Sequence, residues 1–156
     1  KPELTPKAGL WTSKIVEMFG IKPVMAMLSY TNFGSSKHPN AGKVTDAVAY
    51  LHRYYPDLVV DGPLQSDFAL NRDMLEERFP FSEIAKKNVN TLIFPNLESA
   101  NITYKLMKEL NKNQSVGPIL LGLKEPIHVL QLGANVDEIV NMAAVAVIDA
   151  QQKQKR

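Results

Sequence analysis

The sequence predicts an α/β fold with a mostly parallel sheet. Three observations carry this. Short, wholly apolar runs alternate with longer stretches of helical periodicity, the pattern of successive βαβ units. The runs are apolar on both faces, as strands buried beneath helices on either side require. Polar loops containing Gly, Asn or Pro follow the runs, where strands of such sheets hand over to helices.

Trp11 to Phe19 opens the series with apolar residues at Trp11, Ile15, Val16, Met18 and Phe19, and Gly20 supplies a stop. Val24–Leu28 is the first strand and Ser29 to Pro39 a polar loop. Val44, Ala47, Val48, Leu51 and Tyr55 then recur at helical spacing, so a helix is expected over Asn40–Tyr54, ended by Pro56-Asp57. Leu58-Val-Val60 is the second strand, and a helical piece is expected near Met74–Arg78. Thr91-Leu-Ile-Phe94 is the third strand. Leu97 to Leu110 is an amphipathic helix on Ile102, Leu106, Met107 and Leu110. Val116–Leu121 and Ile127–Leu130 are two further apolar runs. The last helix, Asn135 to Ala150, starts with a capping box in which Asn135 faces Glu138, and Asp137 and Glu138 complement its dipole. It has almost no polar face, so it is expected either in a core or at an interface.

The 156 residues suit one domain or one large lobe. With 45% hydrophobic and 22% charged residues the composition is that of an ordinary globular protein. A net charge of +2, clustered nowhere except in the tail Lys153–Arg156, gives no footprint for nucleic acid. No cysteine is present, which removes thiol nucleophiles, disulfides and Cys-ligated metals. No long apolar run or leader is seen, and the expected compartment is the cytoplasm. Two sequons, at Asn101-Ile-Thr103 and Asn113-Gln-Ser115, are read as chance. The first residue is Lys1, and a piece of something longer is expected.

Taken alone, the chemistry signals are sparse. His38 is placed in a loop, His52 on a helix surface, and His128 within an apolar run, where a satisfied structural histidine is expected rather than a ligand. None has metal spacing. No P-loop, G-x-G-x-x-G or G-x-S-x-G pattern occurs. The loop Ser29-Tyr-Thr-Asn-Phe-Gly-Ser-Ser36 follows a strand, where ligands of open α/β sheets bind. It is either an anion cradle or a plain connection. Asp61-Gly-Pro-Leu-Gln-Ser-Asp67 and Phe94-Pro-Asn-Leu97 are read as further loops on the same rim.

Those segments, in this order, resemble the phosphate acetyl- and butyryltransferase family. Leu28-Ser-Tyr30 with Gly34-Ser35 is similar to its Ser-Tyr-Ser and Gly-Ser elements, and Asp61–Asp67 to its Asp-Gly-Pro/Glu-Leu-Gln-x-Asp. Phe94–Lys105 matches Phe-Pro-Asp-Leu-Asn-x-Gly-Asn-Ile-x-Tyr-Lys. Gly117–Gly122 with Pro126-Ile127 matches the Gly-Pro-Ile-Leu element and the Pro-Ile/Val after it. The resemblance spans nearly the whole chain but only the family's C-terminal half. It implies a three-layer helix–sheet–helix lobe of phosphotransacetylase type, like that of isocitrate dehydrogenase, with residues 1–156 as one lobe and the first lobe absent.

Where active members continue with Asn-Asp-Leu-Ser-Arg-Gly-Cys-Ser, this chain has His128-Val-Leu-Gln-Leu-Gly-Ala-Asn135. The family's serine is Gln131, its arginine Leu132 and its cysteine Ala134. Moving an acetyl group between CoA and phosphate needs a guanidinium to hold the phosphate and offset developing charge. Leucine offers neither charge nor donor, so no catalytic residue is expected. Glu138 is either a remnant of the family's acid near the thiol or simply a helix N-terminal acid. Asn32–Ser35, Asn96-Leu97 and Ala100-Asn101 resemble the branch in which this domain follows the malic-enzyme and NADP domains of a hybrid NADP-dependent malic enzyme.

That resemblance implies a non-catalytic module that binds acetyl-CoA, forms homo-oligomers, and acts on the rest of the malic-enzyme chain. Ser29, Tyr30, Asn32, Phe33 and Ser35 would supply one rim of the acetyl-CoA site, and Asn101, Gln131, Leu132 and Gly133 the other. No metal site is expected in this chain, and the parent would bring its own NADP and divalent metal. Two alternatives stand beside it: a fragment of an active phosphate acetyltransferase, and a purely structural assembly domain.

Overall fold

The computed structural model describes residues 4–36, 38–111 and 115–154. Asn113 of the second sequon and the last two residues of the basic tail lie outside them. The chain forms two compact units, residues 1–101 and 102–156.

The first unit is built on three parallel strands, β1 (Val24–Leu28), β2 (Val59–Leu64) and β3 (Thr91–Ile93), in the order β2-β1-β3. Successive side chains of a strand point to opposite faces, and β1 separates two cores accordingly. Met25 and Met27 pack with Val44, Ala47, Val48 and Leu51 on one face. These come from α2 (Pro39–Tyr54), which lies with α1 (Leu4–Met18) on that side. Ala26 and Leu28 face Leu64, Ala69, Leu75 and Ile84 on the other, where α3 (Ser66–Leu70) and α4 (Arg72–Arg78) sit. Helices therefore cover both faces of the sheet, as the doubly apolar strands require.

The helix starts follow local rules. His38 caps α2 with Nδ1 accepting from the Asn40 N–H at 3.3 Å, and Pro39 takes the first helical position, where its missing N–H is not needed. Asn71 caps α4 by accepting from the Met74 N–H at 3.0 Å.

β2 differs from the expected strand. It runs on through Asp61, Gly62 and Pro63 to Leu64, so the start of the expected rim loop is buried strand. Pro63 is tolerated because β2 is an edge strand. The ladder shifts register between Ala26 and Leu28, opposite this stretch. Gly62, at φ +143°, packs so closely on Met27 that a Cβ would lie 2.5 Å from its carbonyl oxygen.

The second unit holds most of α5 (Leu97–Asn111) and all of α6 (Val136–Gln154). Between them, residues 115–135 carry no helix or strand, so the runs Val116–Leu121 and Ile127–Leu130 are irregular chain. Met142, Val145 and Asp149 form the buried side of α6. Val136, Val140, Ala143 and Val147 are exposed, so the helix is core on one side only. On α5 the apolar stripe Ile102, Leu106 and Leu110 is exposed as well.

Candidate functional site

In the first unit the loop after β1 is held by its own bonds. The Asn32 side chain donates to Gln65 Oε1 at 2.8 Å and accepts from the Gln65 N–H at 2.7 Å. Gln65 Nε2 donates to the Tyr30 carbonyl at 2.9 Å. The Tyr30 and Ser36 hydroxyls are 2.9 Å apart, and the Thr31 and Ser35 hydroxyls are also bonded to each other. The Phe33 N–H donates to the Pro63 carbonyl at 2.8 Å, and the Ser29 N–H to that of Leu64.

Phe33 turns its ring into an aromatic cluster, 5.0 Å from Phe79 and 4.9 Å from Phe81. It has φ +40°, unusual for a residue with a Cβ. The polar side chains of Tyr30, Asn32 and Ser35 thus brace this loop, and Phe33 anchors it. Gln65, which the sequence reading did not single out, ties the loop to the end of β2.

Gln131, Leu132 and Gly133 lie together on one turn of the second unit, where Gly133 has φ +86° and the Ala134 N–H donates to the Gln131 carbonyl. Leu132 is fully solvent-exposed, at 106% of its reference area. Asn101 is exposed on α5, at the end of the first unit. Lys105 Nζ donates to Gln131 Oε1 at 3.1 Å.

Beside this turn is a cavity of about 10 Å³, room for about one water at most. Its apolar wall is Leu130, Ala134 and Met142; Ser115 and Gln131 supply neutral polar groups, and Lys108 and Glu138 the charge. Lys108 Nζ donates to Glu138 Oε1 at 2.7 Å. Glu138 Oε2 accepts from the Asn135 N–H at 3.0 Å, while the Glu138 N–H donates to Asn135 Oδ1 at 2.9 Å, completing the expected capping box. Lys108 escaped the sequence reading because its partner is 30 residues away and no local pattern links them.

The Lys108 bond, then the Asn135 N–H, hold the Glu138 carboxyl below its ordinary value of 4.5. The same bond to Glu138 raises the Lys108 ammonium above 10.5. A lowered acid stabilises the fold above its unfolded value and loses that contribution as pH falls through the folded one; a raised base stabilises below its unfolded value and loses it as pH rises through the folded one. The pair's contribution should therefore be level between pH 4.5 and 10.5 and fall away outside that window. Urea denaturation against pH should show the acid-side loss shrinking in Glu138→Gln.

The histidines differ in standing. His52 on α2 is half-exposed, with Nε2 at 2.7 Å from the Val60 carbonyl and 3.7 Å from Glu83. His128 corrects an expectation. Its side chain is only 3% exposed, yet neither ring nitrogen has a hydrogen-bond partner. Asp149 Oδ2 lies 3.4 Å from Nε2 and is itself bonded to Lys153 at 2.9 Å. Among the described residues no group of three or more His, Asp or Glu could hold a metal ion. No helix there is long and apolar enough to cross a membrane.

The profile described as phosphate acetyl/butaryl transferase matches residues 7–147. The chain belongs to the phosphate acetyl/butaryl transferase family. It is 40% identical over 143 residues to the NADP-dependent malic enzyme of Escherichia coli, covering 91% of this chain and 19% of that protein. It is 38% identical to the malic enzyme of Salmonella typhimurium, covering 96% and 20%, and 38% identical to the phosphate acetyltransferase of Clostridium acetobutylicum, covering 87% and 40%. Among solved structures, a phosphotransacetylase from Streptococcus pyogenes superposes with a TM-score of 0.89 at 33% identity, covering 97% of this chain and 46% of that one. The chain thus resembles the phosphotransacetylase-like part of NADP-dependent malic enzymes, spans about a fifth of their length, and has the fold of phosphotransacetylases.

Proposed function

We propose that this chain is a non-catalytic, acetyl-CoA-sensing and oligomerising module of a cytoplasmic NADP-dependent malic enzyme, which converts malate to pyruvate and CO2. The observation that carries this is the 131–133 turn. It offers Gln131 and a fully exposed Leu132 where the transferases this sequence resembles carry serine and arginine. A dianionic phosphate has no guanidinium to meet there, and loss of such a contact removes on the order of a hundredfold or more in rate. Glu138, the remaining acid, is committed to Lys108 and Asn135 and makes a poor base.

Similarity to the malic enzymes over nearly the whole chain supports a module within a larger enzyme. NADP and a divalent metal then belong to the rest of that protein. Sensing needs only that acetyl-CoA bind two states of the enzyme unequally. The exposed residues Val136, Val140, Ala143 and Val147 follow the four-three-four spacing of a helix–helix seam. That stripe supports a homo-oligomer contact along α6.

The full-length protein that carries this chain, incubated with acetyl-CoA and phosphate, should release no CoA above the rate of a buffer control. Release that saturates with phosphate would make the chain part of a working transferase instead.

A further inference from the structure

We infer that His128, Asp149 and Lys153 form a proton-sensitive latch, which closes the 126–130 stretch onto α6 when the His128 ring is protonated and so steadies the 131–133 turn. The latch uses residues of the second unit alone and needs no ligand.

A buried ring without a bond is the starting point. The His128 side chain is 3% exposed, and neither nitrogen has a hydrogen-bond partner. Polar groups left unsatisfied in such surroundings cost free energy. Asp149 Oδ2 lies 3.4 Å from Nε2, close but not bonded. The same oxygen accepts from Lys153 Nζ at 2.9 Å. One carboxylate oxygen is thus contested by two donors, and the lysine holds it.

The rivals differ in what they lose when displaced. Lys153 stands in the last turn of α6 with 29% of its side chain exposed, so its ammonium can turn to water. The His128 ring has no such exit. A neutral ring competes poorly with an ammonium, but a buried imidazolium without a counterion is far more costly than an exposed lysine. Protonation therefore hands Asp149 to His128. Nε2–H then donates to Oδ2, the pair closes by about half an ångström to the length of a charge-assisted bond, and Lys153 is released to solvent. Histidine ordinarily changes charge between about pH 5 and 8. The closed latch holds one proton more than the open one, so it tightens as pH falls through that range.

The other charged and titratable groups nearby have partners of their own or face water. Tyr104, Lys105 and Lys108 of α5 are bonded to Ser115, Gln131 and Glu138. Lys124 and Glu125, in the chain just before, are exposed. The latch also has leverage on the turn. Asp149 and Glu138 are eleven residues apart on α6, about 16 Å at a helical rise of about 1.5 Å, and Glu138 is bonded to Asn135. The chain from His128 to Asn135 spans up to about 24 Å when extended. Both ends can therefore be held at once, with slack for the turn at Gln131–Gly133 between them.

The test is amide hydrogen exchange read by mass spectrometry on the full-length protein that carries this chain, from about pH 8 to about pH 5.5, with intrinsic exchange rates divided out. Protection of residues 127–134 should rise about tenfold or more toward the acid end, the contribution of one hydrogen bond between charged groups. His128→Asn, which cannot titrate, should abolish the rise. Lys153→Met removes the competitor at a part-exposed position and should raise protection of 127–134 above wild type at the alkaline end.

Protection in the wild type that stays flat or falls toward acid would overturn the inference, as would an equal rise in His128→Asn. Should His128→Asn not fold, Lys153→Met still decides: protection no greater than wild type at the alkaline end would mean that lysine and histidine do not compete for Asp149. No acyl-CoA is added, so the outcome is independent of the sensing reading.

Discussion

Gly62→Ala is expected to destabilise the chain by about 3–5 kcal/mol, enough to remove most of the folded population of a marginal domain. Two effects add. Gly62 sits at φ +143°, a region that residues with a Cβ enter at a penalty of about 1–3 kcal/mol. The new Cβ would also lie 2.5 Å from the Met27 carbonyl oxygen and 3.0 Å from its Cβ. Met27 is the centre of the sheet and fully buried, so neither partner can retreat without opening the β1–β2 ladder. Urea denaturation followed by circular dichroism measures the loss. A change below about 1 kcal/mol would mean that the two strands are not packed this closely.

Asp61→Ala should be about as severe, on the order of 3–5 kcal/mol. Asp61 is buried, at 8% exposure. It accepts three bonds: Gly62 N–H at 2.8 Å on Oδ1, and Ser82 Oγ at 2.7 Å with Glu83 N–H at 2.9 Å on Oδ2. Alanine leaves all three donors without an acceptor, at about 1–3 kcal/mol for each that water does not reach. Asp61→Asn should lose less, since its amide oxygen still accepts. A thermal melt ranking wild type, then Asn, then Ala would match this role. Equal stability of Ala and wild type would show that Asp61 does not hold the 82–83 turn to the sheet.

These two residues also mark where the sequence misleads. Asp-Gly-Pro is a strong turn signal, and residues 61–67 read as a loop on the ligand rim. In the structure Asp61 and Gly62 are inside β2, because a bridge to residues 21 and 22 positions later, and a close approach to β1, outweigh local preference. The three strands and the helices α2, α5 and α6 were legible because their apolar spacing is a local property, whereas α1 starts at Leu4, well before the apolar residues from Trp11 on that announced it. The α6 capping box was legible for the same reason, with both partners three residues apart.

What depends on distant partners was not legible. Periodicity shows the apolar stripe Ile102, Leu106, Leu110 but not that it faces outward. It shows apolar runs in 116–130 but not that they lack a strand neighbour. Composition marks Asn32 and Ser35 as polar groups able to meet a ligand, yet Gln65 and Thr31 engage them within the loop. The pairing of Lys108 with Glu138 comes from the approach of two helices, and nothing near either residue announces it.

The proposed role of this chain is to sense acetyl-CoA on behalf of a malic enzyme without turning it over. The most direct test is malate-dependent NADPH formation by the full-length protein, titrated with acetyl-CoA, with and without residues 1–156. An acetyl-CoA effect on the rate that disappears with the deletion is expected. A rate indifferent to acetyl-CoA in the intact protein, or an effect that survives the deletion, would contradict it.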